Sequence, residues 1–325
     1  MNRILGMGNA LVDILAIFED DAMLKKYNLP KGSMTHVDEK TTNKIFDDIK
    51  HQSKYDIVAG GSAANTICGL SRLGIETAFI GKTGKDELGN FFIDDIKKNG
   101  VTPKLISVDN TTGNCKLLIT PDGERTMCTY LGAAIDLNPN DLYHEQFKGY
   151  NYFHIEGYLV QNHELMQRSF ELATQHRMTI SLDMSSFNIV AENKDFMNKM
   201  LHKYVDIIFA NEEEAKTFTG REPREALDML AEICKIAVVK IGAEGSYVKQ
   251  GNEFYKIQPV TANAIDATGA GDLYASGFLY GMSKKLPVEI CGEIGSLCAG
   301  NIVEVIGTKL PNEKWNDIKN LLFNT

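Results

Sequence analysis

Short apolar, β-branched runs alternate with longer stretches whose hydrophobic positions recur every three or four residues, and this rhythm organises the chain as far as residue 241. Runs at 55–59 and 78–80 are followed by helical patterns at 62–73 and 86–98, and a run at 179–183 precedes a helical stretch at 193–203. Further runs at 3–7, 152–156, 206–210 and 236–241 predict strands, and the unbroken apolar character of VDIIFA and IAVVKI suits strands buried on both faces. The alternation predicts an α/β fold, a mostly parallel central sheet with helices on both faces.

Two segments break the rhythm. Residues 11–18 and 116–131 read as antiparallel strands, the second folded about Pro121-Asp122-Gly123, whose proline and glycine supply the backbone angles of a turn. They predict a small separate sheet. Beyond Thr268 the pattern turns helical, near 270–284, 288–306 and 313–323, with Pro287 and Pro311 as punctuation. With no repeat, low-complexity tract or long linker, the second sheet reads as an appendage of one domain spanning 1–325.

Composition narrows the class without naming a function. Hydrophobic residues at 43% and charged ones at 24% match a folded globular chain and exclude disordered, collagen-like and coiled-coil classes. A net charge of -9 speaks against a broad electrostatic grip on nucleic acid or an anionic membrane, while leaving small local anion sites open. The six cysteines (Cys68, Cys115, Cys128, Cys234, Cys291, Cys298) show no C-x-x-C spacing and read as reduced, buried thiols. The apolar start is interrupted by Gly6, Gly8, Asn9 and Asp13, and no signal-peptide or membrane-span pattern appears, so the expected location is cytoplasmic.

The sharpest local pattern is Asp266-Ala267-Thr268-Gly269-Ala270-Gly271-Asp272 ahead of the helical run LYASGFLYGM. Small residues at a helix mouth leave backbone N–H groups open, and the helix dipole adds positive potential, which suits a phosphoryl group in transfer. Asp272 beside that hole could take the proton of an attacking hydroxyl, or could merely complement the dipole of an ordinary glycine-rich turn. In Gly60-Gly61-Ser62-Ala63-Ala64-Asn65, the paired glycines would let a ligand approach the backbone, and the Asn65 amide could hold a hydroxyl. A tight strand-to-helix turn is the plainer alternative. Asn9 and Asp13 follow the first strand, where parallel sheets gather ligand groups, and an aspartate in an apolar stretch is costly unless paired. Asn211 and Glu214 share a face of a starting helix and could order water around magnesium, although acidic helix starts are common dipole complements. Gly81-Lys82-Thr83 fails as a phosphate-binding loop because Glu76 stands at the required glycine, and Gly6-x-Gly8 fails as a dinucleotide fingerprint because Leu11 takes the third glycine position.

Taken in order, G-x-G-N-x-x-x-D, GGSAAN, N-x-x-E and D-x-T-G-A-G-D resemble the PfkB carbohydrate kinase family, also called ribokinase-like, over essentially the whole chain, with Ala267 a departure where threonine is common. The resemblance implies the ribokinase-like fold with a discontinuous β lid from about 11–37 and 108–132. It implies Asp272 as catalytic base, the backbone of Gly269, Ala270 and Gly271 as anion hole, and Asn9, Asp13, Gly60, Gly61 and Asn65 around the acceptor. ATP would lie against Gly242 and Gly245 with Asn301 near its adenine, magnesium would be organised by Asn211 and Glu214, and Asp266 marks where some members bind a monovalent cation such as potassium. Within the family, GNALVDI, Lys31-Gly32-Ser33-Met34 and the segment from Pro121 to Met127 look most like the adenosine-kinase branch. That implies an Arg125 swinging toward the transferring phosphate and a Tyr158 near the base. Glu156 points instead to a sugar kinase of ribose, fructose or a related acceptor. The expectation is an ATP-dependent kinase of adenosine at its 5′-hydroxyl, monomeric or homodimeric; a sugar kinase is the alternative, and a non-catalytic nucleoside-binding protein the remote one.

Overall fold

The three-dimensional structure, a computed structural model, describes residues 2–52 and 54–323, so the outermost residues of the expected 1–325 span lie outside the described residues. The strands are β1 (Arg3–Met7), β2 (Leu11–Ile17), β3 (Met34–His36), β4 (Tyr55–Gly60), β5 (Glu76–Gly84), β6 (Val101–Val108), β7 (Asn114–Ile119), β8 (Arg125–Tyr130), β9 (Tyr152–Glu156), β10 (Thr179–Asp183), β11 (Ile207–Asn211), β12 (Ile236–Lys240), β13 (Ser246–Gln250) and β14 (Glu253–Ile257). The helices are α1 (Ala22–Lys26), α2 (Glu39–Gln52), α3 (Ser62–Arg72), α4 (Glu87–Lys98), α5 (His144–Phe147), α6 (His163–Gln175), α7 (Phe187–Tyr204), α8 (Glu212–Thr219), α9 (Pro223–Ile233), α10 (Ala270–Ser283), α11 (Val288–Ile302) and α12 (Asn312–Phe323).

A nine-stranded sheet runs in the order β14-β13-β12-β11-β10-β9-β1-β5-β6. It is parallel from β12 to β6, with β13 and β14 added as an antiparallel hairpin at one edge. One apolar layer packs α6 to α9 on one face through Phe170, Leu201, Phe218 and Leu230, and a second packs α3, α4 and α10 to α12 on the other through Ile67, Phe92, Phe278 and Ile302. The central strands are buried on both sides, which is why their sequences are continuously apolar. This is the ribokinase-like α/β architecture, with a separate five-stranded sheet in the order β3-β8-β7-β2-β4.

That second sheet differs from the expectation in two ways. Residues 55–59 form β4 at its edge, antiparallel to β2, and not a strand of the central sheet. β2 and β7 pair in parallel, while the antiparallel partner of β7 is β8 across the turn at 121–123. A two-residue alternation shows that a segment is a strand but not which neighbour it takes. The lid therefore extends past 11–37 to include β4, and α2 covers it through Ile45 and Ile49, which pack on Leu118 and Cys128. The helix expected at 193–203 is the second half of α7, whose backbone leaves helical angles at Asn193.

The main sheet is tied to α10 through Phe209 of β11, which meets Phe278 edge-on at 5.4 Å and His154 of β9 at 6.4 Å. Phe209→Ala is expected to cost about 3–5 kcal/mol of stability, measured by equilibrium urea unfolding. A loss below about 1 kcal/mol would show that this contact does not hold α10 to the sheet.

Candidate active site

The C-terminal ends of the parallel strands open into a cleft of about 700 Å³, roofed by residues of the lid. Strand register brings the polar ends together, with Glu156 beside Asp183 and Asn211 beside Lys240. The third residue of α10 is Asp272, half-buried in this cleft. Its carboxylate accepts hydrogen bonds from Ser62 Oγ at 2.7 Å and Asn65 Nδ2 at 3.0 Å, so α3 aims the group that the mouth of α10 carries. Desolvation pushes Asp272 up to about 6, against the pull of those two donors. The side-chain oxygen of Asn65 is buried with no partner, an acceptor free for a bound hydroxyl.

Gly269 caps α10 in the left-handed region at φ +77°, where a Cβ would be strained and would crowd Thr308. Gly271 lines the cleft. Ala270, expected to lend its N–H to the anion hole, donates it to Ala267 O at 3.2 Å, so the open donors of the first turn lie further along.

Asp13 lines the cleft from β2, and burial raises it to about 7, opposed by Lys309 and reinforced by Asp272. Gly60 and Gly61 serve the protein before any ligand. A Cβ on Gly60 would collide with the Asp13 carboxylate, and one on Gly61, at φ +91°, with the carbonyl of Asn9. Glu156 fastens this corner: Oε1 accepts from Asn9 N and Nδ2, both at 2.9 Å, and Oε2 from Ala63 N at 2.9 Å. Its burial raises it to about 7 despite these donors.

Tyr158 lines the cleft with its hydroxyl donating to Ser185 O at 3.1 Å. Asn211 and Glu214 form a reciprocal cap at the start of α8: Glu214 Oε2 accepts from Asn211 N and Oε1 from Asn211 Nδ2, both at 2.8 Å, while Asn211 Oδ1 accepts from Glu214 N. Burial, then the charge of Asp183, lifts Glu214 to about 7. Among the described residues no three His, Cys, Asp or Glu side chains converge as a metal site. The excess of carboxylates over cations nonetheless fits a divalent ion arriving with a nucleotide.

Several expected residues sit elsewhere. Arg125 of β8 ion-pairs with Asp266 and donates to Thr268 Oγ1 at 2.9 Å. Asp266 also accepts from Thr268 N at 2.7 Å and Gly307 N at 2.6 Å, so its carboxylate already has a cation and two N–H groups. Gly242 lines the cleft with open space at its Cβ position, whereas Gly245 accommodates the carbonyl of Ile257 and Asn301 donates to Leu297 O of its own helix at 2.9 Å. Neither of the last two is among the cleft-lining residues. Conversely, Ser62, Asp183 and Lys240 enter the site without having been assigned a role of their own. Ser62 stood inside GGSAAN, and the other two end apolar strands, the same signal that drew attention to Asn9.

Four carboxylates thus titrate above their ordinary range, Asp13, Glu156 and Glu214 near 7 and Asp272 near 6. Between pH 7 and 5 the folded chain takes up protons that the unfolded chain does not, so folding stability rises as pH falls through that window. His154, buried and pushed down to about 4, acts in the opposite sense but is one group against four. The ligand-free protein is expected to melt at a higher temperature at pH 5.5 than at pH 7.5, with Asp13→Asn flattening the dependence. A melting temperature that falls toward pH 5.5 would contradict the desolvation argument.

The sequence profile described as pfkB family carbohydrate kinase matches residues 27–315. An uncharacterized sugar kinase of Archaeoglobus fulgidus is 30% identical over 247 residues, covering 74% of this chain and 96% of the relative. Adenosine kinase of Saccharomyces cerevisiae is 28% identical over 331 residues, covering 95% and 96%. The solved structure of adenosine kinase from Sinorhizobium meliloti superposes with a TM-score of 0.88 at 31% identity, covering 98% of this chain and 99% of that one. With the profile spanning most of its length and the sheet, lid and α10 motif in place, the chain belongs to the PfkB family of carbohydrate kinases.

Proposed function

We propose that this phosphotransferase phosphorylates the 5′-hydroxyl of adenosine with ATP. The observation that carries the reading is Asp272, held by Ser62 and Asn65 at the mouth of α10 and sharing one cleft with Asp13. The acceptor oxygen would bond to the γ-phosphorus as the bond from that phosphorus to the β–γ bridging oxygen breaks. ADP leaves with the electron pair, and the acceptor proton passes to Asp272. Asp13 and the unpaired oxygen of Asn65 would hold the ribose hydroxyls. Magnesium, bound with ATP and ordered through water by Asn211 and Glu214, would offset phosphate charge. Most of the acceleration on this reading is positioning and electrostatics.

A nucleoside is favoured over a free sugar by two features. The lid lines the cleft with Met34 and Met127, and Leu11, Leu131 and Ile189 add apolar surface suited to a purine. Glu156, the group that favoured a sugar, has three of its lone-pair sites committed to N–H donors. The sugar-kinase reading keeps support from the likeness to a relative described as a sugar kinase.

ADP formation from MgATP with adenosine, inosine, ribose, fructose and fructose 6-phosphate tests the acceptor. Adenosine is expected to give the highest kcat/KM, and Asp272→Asn to lower turnover by roughly 10³-fold while leaving acceptor binding within a few-fold. Turnover with a free sugar and none with adenosine would overturn the acceptor and keep the base. A base near 6 also predicts kcat/KM falling about tenfold per pH unit below that value. A flat profile down to pH 5 would remove Asp272 from that role.

A further inference from the structure

Lys240 is the cation of this cleft that the reaction described so far leaves without a task. It closes β12, and its ammonium reaches across the end of β11 to Asp183 Oδ2 of β10 at 2.8 Å. Asp183 is itself fixed, with Oδ1 accepting from Ser185 N at 2.9 Å. The ammonium also lies within the fields of Glu214 and Asp272, which with Asp183 keep it protonated against the cost of burial. Its position relative to α10 decides its use. A Cβ added to Gly271 would come to 2.9 Å from Lys240 Nζ, so the ammonium rests against the backbone of the helix mouth where side chains are smallest. Both Lys240 and Gly271 line the cleft.

A purely structural partner for Asp183 could be wholly enclosed beside it. This one lines the cleft with its side chain 16% exposed, against the glycine that precedes the residue proposed to receive the proton. A fixed ammonium in a partly desolvated site, pre-aimed by a carboxylate, is the electrostatic complement of a phosphoryl group whose oxygens carry charge through transfer. We propose that Lys240 is a catalytic residue, its ammonium binding the oxygens of the γ-phosphoryl group beside Gly271, with Asp183 as the positioning residue that holds it there. The inference rests on the phosphotransferase chemistry and not on which acceptor is used.

The test is nucleotide binding by the full-length protein, read by calorimetry with MgADP and with MgAMPPNP, neither of which needs an acceptor. Lys240→Met is expected to weaken MgAMPPNP at least tenfold and MgADP less than twofold, with Lys240→Arg closer to the parent. With adenosine as acceptor, kcat should fall at least a hundredfold while the acceptor KM stays within threefold. Equal weakening of both nucleotides, or of neither, overturns the proposal, because a scaffold role would not distinguish a γ-phosphate. If Lys240→Met fails to fold with Asp183 left unpaired, Lys240→Met/Asp183→Asn carries the same comparison with the same deciding outcomes. If adenosine proves inert, the acceptor reading fails while the contrast between the two nucleotides still decides the role of Lys240.

Discussion

Seven carboxylates line one cleft, and the electrostatic cost of keeping five of them, Asp13, Glu156, Asp183, Glu214 and Asp272, from full contact with water is the constraint on which the site depends. Each is met differently: Glu156 by three N–H donors, Asp183 by an ammonium, Glu214 by a capping asparagine, Asp272 by a serine and an amide. Asp13 is offset by the field of Lys309, and it is among those raised to about 7. A buried charge without exact partners shifts its protonation in preference to staying ionised. The arrangement survives because the partners come from different strands whose register is fixed by apolar layers on both faces. Loosening the sheet would separate charges from donors before it exposed much apolar surface.

The lid belongs to this balance. β2 begins four residues after β1 ends, so the strand bearing Asp13 is tethered directly to the central sheet. From the far side, Arg125 of β8 reaches the loop ahead of α10 and neutralises Asp266. One lid strand thus brings a negative charge into the cleft and another brings a positive charge to its border. The placement of the second sheet and the electrostatics of the cleft are therefore one problem, and the lid carries an apolar cluster of its own under α2.

Strands β1, β9 and β10 stand at the residues that periodicity predicts, and β11 and β12 within one residue of theirs, the last two because a strand buried on both faces writes an almost uninterrupted apolar run. β4 was legible as a strand but not as part of the lid, since its partner β2 lies more than 35 residues away and pairing leaves no local trace. The hairpin of β13 and β14 at the sheet edge, with its exposed face, lacks the apolar run that marks the interior strands. Asp13, Asn65 and Asp272 were legible because a polar group in an apolar or glycine-rich setting needs a reason. Gly245 and Asn301 were carried by resemblance alone, and the fold gives both a local use.

The glycines show where reasoning from sequence needs an additional step. A glycine in a motif invites the thought that a ligand approaches the backbone there. Gly8 instead leaves room for the Glu156 carboxylate, Gly60 for that of Asp13, Gly61 for the carbonyl of Asn9, and Gly271 faces the ammonium of Lys240. In each case the missing side chain is filled by a functional group of the protein, brought from an element distant in sequence. Small residues in these motifs therefore mark positions into which the fold delivers its own polar or charged groups.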